Sequence, residues 1–404
     1  MGKKQQTAII GGGAAGFFCA INLKEMCPQM GVTIFEGGTR VLRKVKVSGG
    51  GRCNCTNTFE DVSDLAQVYP RGHRLLKRLF NVFNYRDAYQ WFEHHGVPLT
   101  VQADHCVFPA AQDSQAIIDC FLHEAHRHDI DIRTNHKINS QEELSNYDYI
   151  VITTGGITSP STLHLPPSTH PCPSLFTFRI EDAALTALMG TVINQAQTML
   201  PGTKLRAEGP LLITHWGMSG PAILKLSSYG ARLLADSAYR HSLSINWTGE
   251  REQAVMDELT TLTIRHTQKQ LSNVRPFGLP ARLWNYLTEK SLQGRANALW
   301  GSLNKKELNR LVNILTNDQY LIAGRAPFKD EFVTCGGVSL SDVCPTTLES
   351  RLQPHLYFAG EVLDIDGITG GFNFQAAWTT AYVVAQSISN DHSRQTVDNS
   401  HQSC

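Results

Sequence analysis

Apolar residues recur along this chain in changing rhythms, and the changes mark its organisation. A short apolar run ending at Ile10 stops at Gly11-Gly-Gly13 and resumes as a longer one containing Phe17, Phe18, Ile21 and Leu23. That order predicts a strand, a glycine turn and a helix, with Val32–Phe35 as a second buried strand. Helical spacing follows over residues 73–95, with Leu75, Leu76, Leu79, Phe80 and Phe83 on one face, and over Ser114–His128, with Ile117, Ile118, Phe121, Leu122 and Ala125. Between and after them, Val97–Val101, His105–Phe108, residues 130–134 and 148–156 read as strands, the last stopping at Thr154-Gly155-Gly156. Residues 157–173 hold five prolines and form an irregular crossover.

Beyond Pro173 the rhythm shortens. Leu175–Ile180, Leu211–Thr214 and Leu243–Trp247 read as strands around a helix at Pro221–Leu234, with Pro at a tolerated first-turn position. From Thr248 to Asn317 the chain is helical in pattern, and Asn304 with Glu307 spells a capping box. Gln319–Ala323 and Glu331–Ser339 return to strand. Residues 356–378 read as strand, acidic turn, glycine pair and helix, and the polar residues after Asn390 read as a disordered tail.

The turn glycines carry the first chemistry. Gly11, Gly13 and Gly16 fit G-x-G-x-x-G around Ala14 and Ala15, and Glu36 closes the second strand twenty residues past Gly16. The spacing suits a tight turn, close approach of a pyrophosphate to backbone N–H groups, and close helix–strand packing, with Glu36 accepting from ribose hydroxyls. A second stretch, Ser48-Gly49-Gly50-Gly51-Arg52-Cys53-Asn54, with Lys44 before it and Asn57 after it, offers a nest of N–H donors with cations. Thr154, Gly155 and Gly156 end a buried strand where cofactors bind, at the carboxyl edge of a parallel sheet. In the last stretch, Gly360, Glu361, Asp364 and Asp366 precede Gly370, Gly371, Phe372, Asn373 and Gln375. A helix starting there would face its free N–H groups toward negative charge, such as that on a reduced flavin, while Glu361 or Asp364 hold ribityl hydroxyls.

Composition narrows the classes. The 404 residues are 42% hydrophobic and 18% charged, with 36 basic against 36 acidic side chains. No global field draws such a chain to RNA or anionic lipid, although basic clusters lie at Arg40–Lys46 and Arg71–Arg78. No apolar run is long enough to span a bilayer, and Met1–Gln6 leads directly into the first strand, so the expectation is a cytoplasmic protein with no membrane contact. Ten scattered cysteines, none as C-x-x-C, read as reduced thiols, and C-x-C at Cys53 and Cys55 is poor metal evidence. His94 and His95 read as helix C-terminal dipole partners. His123, His126 and His128 read as solvated surface for want of an acidic partner. No metal is expected. His215, beside Trp216 in a glycine loop, is the one histidine singled out for a catalytic role.

Three of these stretches, Gly11–Gly16, Ser48–Asn57 and Gly360–Asn373, closely resemble the BaiN-like NAD(P)/FAD-dependent oxidoreductase family, the aminoacetone-oxidase-like flavoproteins of HI0933-like fold type. Val107–Pro109, Thr214–Pro221 and Val333–Val338 add weaker likeness, so the resemblance spans nearly the whole chain. It implies an α/β protein with a Rossmann-like, glutathione-reductase-like FAD-binding domain carrying an inserted β-barrel domain and an inserted helical domain. The boundaries expected are 1–170 and 336–390 for FAD binding, 171–247 and 318–335 for the barrel, 248–317 for the helices, and 391–404 for the tail. Lys44, Ser48, Arg52 and Asn54 would approach FAD, and Gly360–Gln375 would cradle its ribityl and ring portions. The shortened, proline-rich 157–173 departs from the family pattern and bears on the local cover of the flavin. The implied activity is hydride transfer through flavin N5 with NAD(P)H as donor and a small-molecule or unsaturated-ring substrate. Reduction of uridine in ribosomal RNA and a flavin-binding sensor without turnover are the alternatives.

Overall fold

The first apolar run forms β1 (Gln6–Ile10) and the second α1 (Ala14–Met26), whose residues 15–24 are all buried. A helix apolar on every side must be covered on every side. A computed structural model, which describes residues 4–156, 169–326 and 333–402, shows what covers it. The chain continues through β2 (Gly31–Phe35), α2 (Arg43–Gly51), β3 (Thr56–Asn57), α3 (His73–Leu79) and α4 (Tyr85–His94). Next come β4 (Leu99–Val101), β5 (Cys106–Pro109), α5 (Gln115–Arg127), β6 (Asp131–Arg133), β7 (Tyr149–Ile152) and β8 (Cys172–Ser174). Residues 157–168, most of the proline-rich crossover, lie outside the described residues.

A second compact unit, residues 174–329, follows. It comprises β9 (Phe178–Ile180), α6 (Ala183–Thr186), β10 (Val192–Met199), β11 (Arg206–Thr214), β12 (Gly217–Ser219), α7 (Pro221–Tyr229), α8 (Ala231–Asp236), β13 (His241–Asn246), α9 (Glu252–Arg265), α10 (Ala281–Leu292), α11 (Lys305–Thr316) and β14 (Asp318–Arg325). The first unit, residues 1–173 with 330–404, is completed by β15 (Val333–Cys335), β16 (Leu356–Phe358) and α12 (Phe372–Gln402).

In the first unit five parallel strands lie in the order β16-β7-β1-β2-β6. The last strand of the chain therefore pairs beside β7, and both end at the edge where β1 ends. α1 is covered by α12, α5 and α4: Phe18 meets Trp378, Phe121, Trp91 and Phe92 at ring separations of 4.6–6.5 Å. A small antiparallel sheet, β3-β5-β4, carries the segment around Asn54.

The second unit closes a barrel in the order β10-β11-β12-β9-β14-β13. The helices α9–α11 belong to the same compact unit as this barrel. Buried Asp318 at the start of β14 ties them to it, accepting from Lys290 on α10 at 2.6 Å, Trp247 Nε1 at 3.0 Å and the Tyr320 hydroxyl at 2.6 Å.

Several elements differ from the sequence pattern. The helix expected over 73–95 is two helices, because Asn84 and Asp87 form a capping box that starts α4 afresh. The helix expected at Pro221–Leu234 breaks at Gly230, where a Cβ would stand 2.8 Å from Leu200 Cδ1. Residues past Asn390, read as a disordered tail, continue α12 to Gln402. The Tyr149 hydroxyl donates to Asp391 Oδ2 at 2.8 Å, and Gln5 Nε2 donates to Gln395 Oε1 at 2.8 Å, which anchors that extension. His128 is not a solvated surface histidine: Glu124, four residues earlier and buried, stands 3.6 Å from its Nε2. His123 and His126 are exposed as read.

Candidate functional site

Each strand end of the parallel sheet contributes backbone to one region. After β1, Gly11 has φ +120°, and a Cβ there would lie 2.4 Å from the Thr153 carbonyl oxygen at the end of β7. Gly16 brings α1 against this turn: its Cβ would lie 2.1 Å from Gly11 O and 2.9 Å from Thr153 Oγ1. Gly13 is different. It is the N-cap of α1 with extended backbone, no side chain caps the helix, and no acidic residue occupies its first turn. A Cβ at Gly13 would meet nothing within 4 Å. Free N–H groups facing open space at a helix start form an anion site.

Glu36, at the end of β2, stands beside it. Its Oε2 accepts from Gly12 N at 3.0 Å and its Oε1 from Gly38 N at 2.7 Å, which leaves each oxygen a further lone pair for a hydroxyl donor. Leu42 N donates to Gly12 O at 2.8 Å and so fixes the start of α2 to the glycine loop. α2 carries Lys44 and ends in a left-handed turn, with φ of +56°, +68° and +84° at Gly49, Gly50 and Gly51. Three successive left-handed positions explain three successive glycines. Cβ atoms at Gly50 and Gly51 would also meet open space. Ser48 Oγ turns inward and donates to Val45 O at 2.8 Å, and Arg52 lies 4.3 Å over the Phe108 ring.

The last stretch meets these residues from the other side. Lys44 Nζ pairs with Glu361 Oε2 at 2.7 Å, and Glu361 Oε1 accepts from Thr334 N at 2.7 Å. Gly155 lies against the same carboxylate, and a Cβ at Gly360 would stand 2.8 Å from Ala15 Cβ. The Asn54 amide, oriented by its neighbours, accepts from Gly371 N at 3.2 Å and donates to Thr56 O and Val107 O. Asn57 Nδ2 donates to Gly370 O at 3.1 Å, and Trp378 Nε1 to Cys55 O at 2.8 Å. Gly11–Gly16, Glu36, Lys44–Asn54, Thr154–Gly156 and Gly360–Gly371 are thus brought together. Cys53 and Cys55 form no disulfide, and both are fully buried.

Two expected contact residues, Asp366 and Gln375, have buried protein partners of their own. Asp366 is fully buried and grips the Arg71 guanidinium in a two-point contact. Burial alone would lower the Arg71 pKa, but its bonds to Asp366 outweigh that and hold it above its ordinary value. Gln375 is also fully buried; it accepts from Thr56 Oγ1 at 2.6 Å and donates to Thr379 Oγ1 at 3.0 Å. These two support the turn from within. His215 sits exposed on the β11–β12 hairpin of the second unit, its ring 4.4 Å from that of Trp216. Asn373 closes the turn locally, bonding the N–H and carbonyl of Gly367, and Phe372 packs buried against Phe59 and Tyr69. Asp364 is half-buried on the same turn.

Arg71, Thr153 and Thr334 were not singled out in the sequence. Arg71 had the signal of charge, but its cluster reads as surface, whereas its side chain is only 13% exposed.

Residues 5–387 match the HI0933-like protein Rossmann domain. The chain belongs to this family. It is an FAD-dependent oxidoreductase, and the HI0933-like site fits that cofactor on its own geometry: an uncapped helix start facing open space, an acid beside it, and a glycine nest across from it. A relative described as ribosomal RNA dihydrouridine synthase from Haemophilus influenzae is 28% identical, covering 96% of this chain and all of its own length. A 3-dehydro-bile acid delta(4,6)-reductase from Clostridium scindens is 24% identical, covering 94% and 97%. Among solved structures, a 3-ketosteroid delta1-dehydrogenase from Sterolibacterium denitrificans aligns with TM-score 0.48 and 10% identity over 96% of this chain and all of that one. No helix among the described residues is long and apolar enough to cross a membrane.

Proposed function

We propose that this flavoprotein is an NAD(P)H-dependent reductase of a ring carbon–carbon double bond conjugated to a carbonyl, and that its ring is uracil in ribosomal RNA. The observation that carries the flavin end of this reading is the gathering of the first glycine loop, the α2 nest and the closing stretch by Leu42–Gly12, Lys44–Glu361 and Asn54–Gly371. In this reading the α1 N–H groups at Gly13 hold the pyrophosphate and Glu36 holds the adenosine ribose. Lys44, Glu361 and Asp364 face the ribityl chain, and the first turn of α12 lies toward the pyrimidine side of the ring. Bound FAD supplies hydride transfer at N5. Overall, NAD(P)H gives a hydride to one carbon of the double bond and a proton saturates the other. His215 is the candidate proton donor. The ring class is supported by the activities for which the relatives are named: dihydrouridine formation and delta(4,6) reduction both saturate a double bond conjugated to a carbonyl.

A second reading, a small unsaturated ring compound, is favoured by the zero net charge and by the burial of Arg71, which removes one cation from a basic cluster. Mass spectrometry of ribosomal RNA from a strain lacking the gene separates the two. The uracil reading expects a chain-bound dihydrouridine to vanish and to return with a restored copy. An unchanged ribosomal RNA contradicts it. The purified enzyme would then oxidise NAD(P)H with 3-oxo-delta-4 ring compounds instead.

A further inference from the structure

Far from the glycine loop, four side chains converge that the flavin chemistry does not use. Glu25 lies in the last turn of α1, His95 just past the end of α4, Glu124 within α5 and His128 just past its end. Twelve residues of helix separate this end of α1 from Gly13, roughly 18 Å at 1.5 Å per residue. His95 Nε2 lies 2.9 Å from Glu25 Oε1, and His128 Nε2 lies 3.9 Å from Glu25 Oε1 and 3.6 Å from Glu124 Oε2. One ligand atom each from Glu25, His95 and Glu124 fall within 4.8 Å of one another.

Hydrogen bonding leaves this cluster incomplete. The His95 Nδ1–H donates to Trp91 O at 2.7 Å, so Nε2 turns its remaining valence toward the carboxylates. A proton on Nε2 satisfies Glu25 alone. Glu124 is 3% exposed, yet its Oε2 and the His128 Nε2 are buried without a hydrogen-bond partner among the described residues. Exposed Arg127 comes to 3.3 Å of Glu124 Oε2, and His123, more exposed still, to 4.0 Å of Oε1. Arg127 Nη1 also donates to Glu124 Oε1 at 3.4 Å, so its guanidinium meets this carboxylate from the solvent side. On the inner side Oε2 has no hydrogen-bond donor, and a cation there would stabilise so buried a charge further.

We propose that Glu25, His95, Glu124 and His128 form a binding site for a divalent transition metal, Zn2+ by preference, which clamps the carboxyl ends of α1, α4 and α5. Tetrahedral Zn2+ bound by nitrogen and oxygen at about 2.0–2.1 Å separates its ligands by roughly 3.3 Å. Glu25, His95 and Glu124 already lie within 4.8 Å of one another, and His128, 3.6 Å from Glu124 Oε2 and 3.9 Å from Glu25 Oε1, would close on the ion as the fourth ligand. Two carboxylates neutralise the ion, and two imidazoles suit its borderline softness. The His95–Trp91 carbonyl bond is the outer-shell contact that fixes a ligating imidazole. Trp91 stacks on that ring at 3.8 Å and holds its orientation. A surface cavity of about 390 Å³ borders the cluster at His95, the one of the four that lines it.

The full-length flavoprotein, stripped with a chelator and desalted, should take up one Zn2+ per chain by plasma mass spectrometry. Glu124→Gln combined with His128→Gln should weaken that uptake at least ~10-fold while FAD content per chain stays at the wild-type value. His128→Gln alone, at a half-buried position, keeps the test open should the double variant fail to hold FAD. Co2+ in place of Zn2+ should give tetrahedral d–d bands without thiolate charge transfer. Failure of the wild type to retain Zn2+, equal uptake by the His128 variant, or a thiolate band assigning the ion to cysteines would each overturn the site.

Discussion

Two glycines of one motif make different demands, and that difference is testable. Gly16 cannot carry a side chain because the Gly11 carbonyl and Thr153 occupy its space, whatever is bound. Gly13 has open space, so only a ligand requires it to be bare. Gly13→Asp places a favourable N-cap at an uncapped helix, which should leave unfolding stability unchanged or raised by up to about 1 kcal/mol. The same carboxylate would repel a pyrophosphate, and FAD affinity should fall at least ~10-fold. Gly16→Val should lose stability and FAD together. Denaturant unfolding and flavin titration of both variants check this, and a Gly13→Asp protein with wild-type FAD affinity would contradict the assignment. Such glycines were legible in the sequence because their G-x-G-x-x-G spacing after an apolar run marks a turn into a helix, although part of what packs against them, Thr153, lies far along the chain. Asp366 and Gln375 were not, because what buries them, Arg71 and Thr56, lies about 300 residues away in the chain.

At the scale of elements, periodicity was informative where one face of a helix stays buried and misleading where a break keeps that face in register. Phe83, buried in the turn between α3 and Asn84, continues the spacing of the α3 stripe to the start of α4, so spacing alone joined two helices. β10 was missed for a related reason: its Asn194-Gln195 segment sits at a register shift, which disturbs the alternation of a half-buried strand. The end of α12 was missed because its anchors are polar. Tyr149–Asp391 and Gln5–Gln395 are hydrogen bonds to distant strands, with no apolar signature. A chain ending at Asn390 should lose about 1–3 kcal/mol of unfolding free energy, the sum of these bonds, measured by its urea midpoint. An unchanged midpoint would show that the extension contributes nothing.

At the scale of the whole molecule, the sheet order shows that β16 and α12 complete the unit that β1 and α1 open, since β16 lies beside β7 and β7 beside β1. The second unit enters as one continuous insertion, residues 174–329. That a strand–turn–helix would close the fold was legible from the glycine pair at 370–371 and the apolar run before it. Closure of six short strands into a barrel was expected only through the family resemblance, since strand partners depend on register across the whole insertion. The most direct measurement is of flavin in the purified full-length protein. Denaturation should release one FAD per chain, and anaerobic NADH or NADPH should bleach the bound flavin within the time of a turnover. A chain that holds no FAD after gentle purification and reconstitution would contradict the account at its centre.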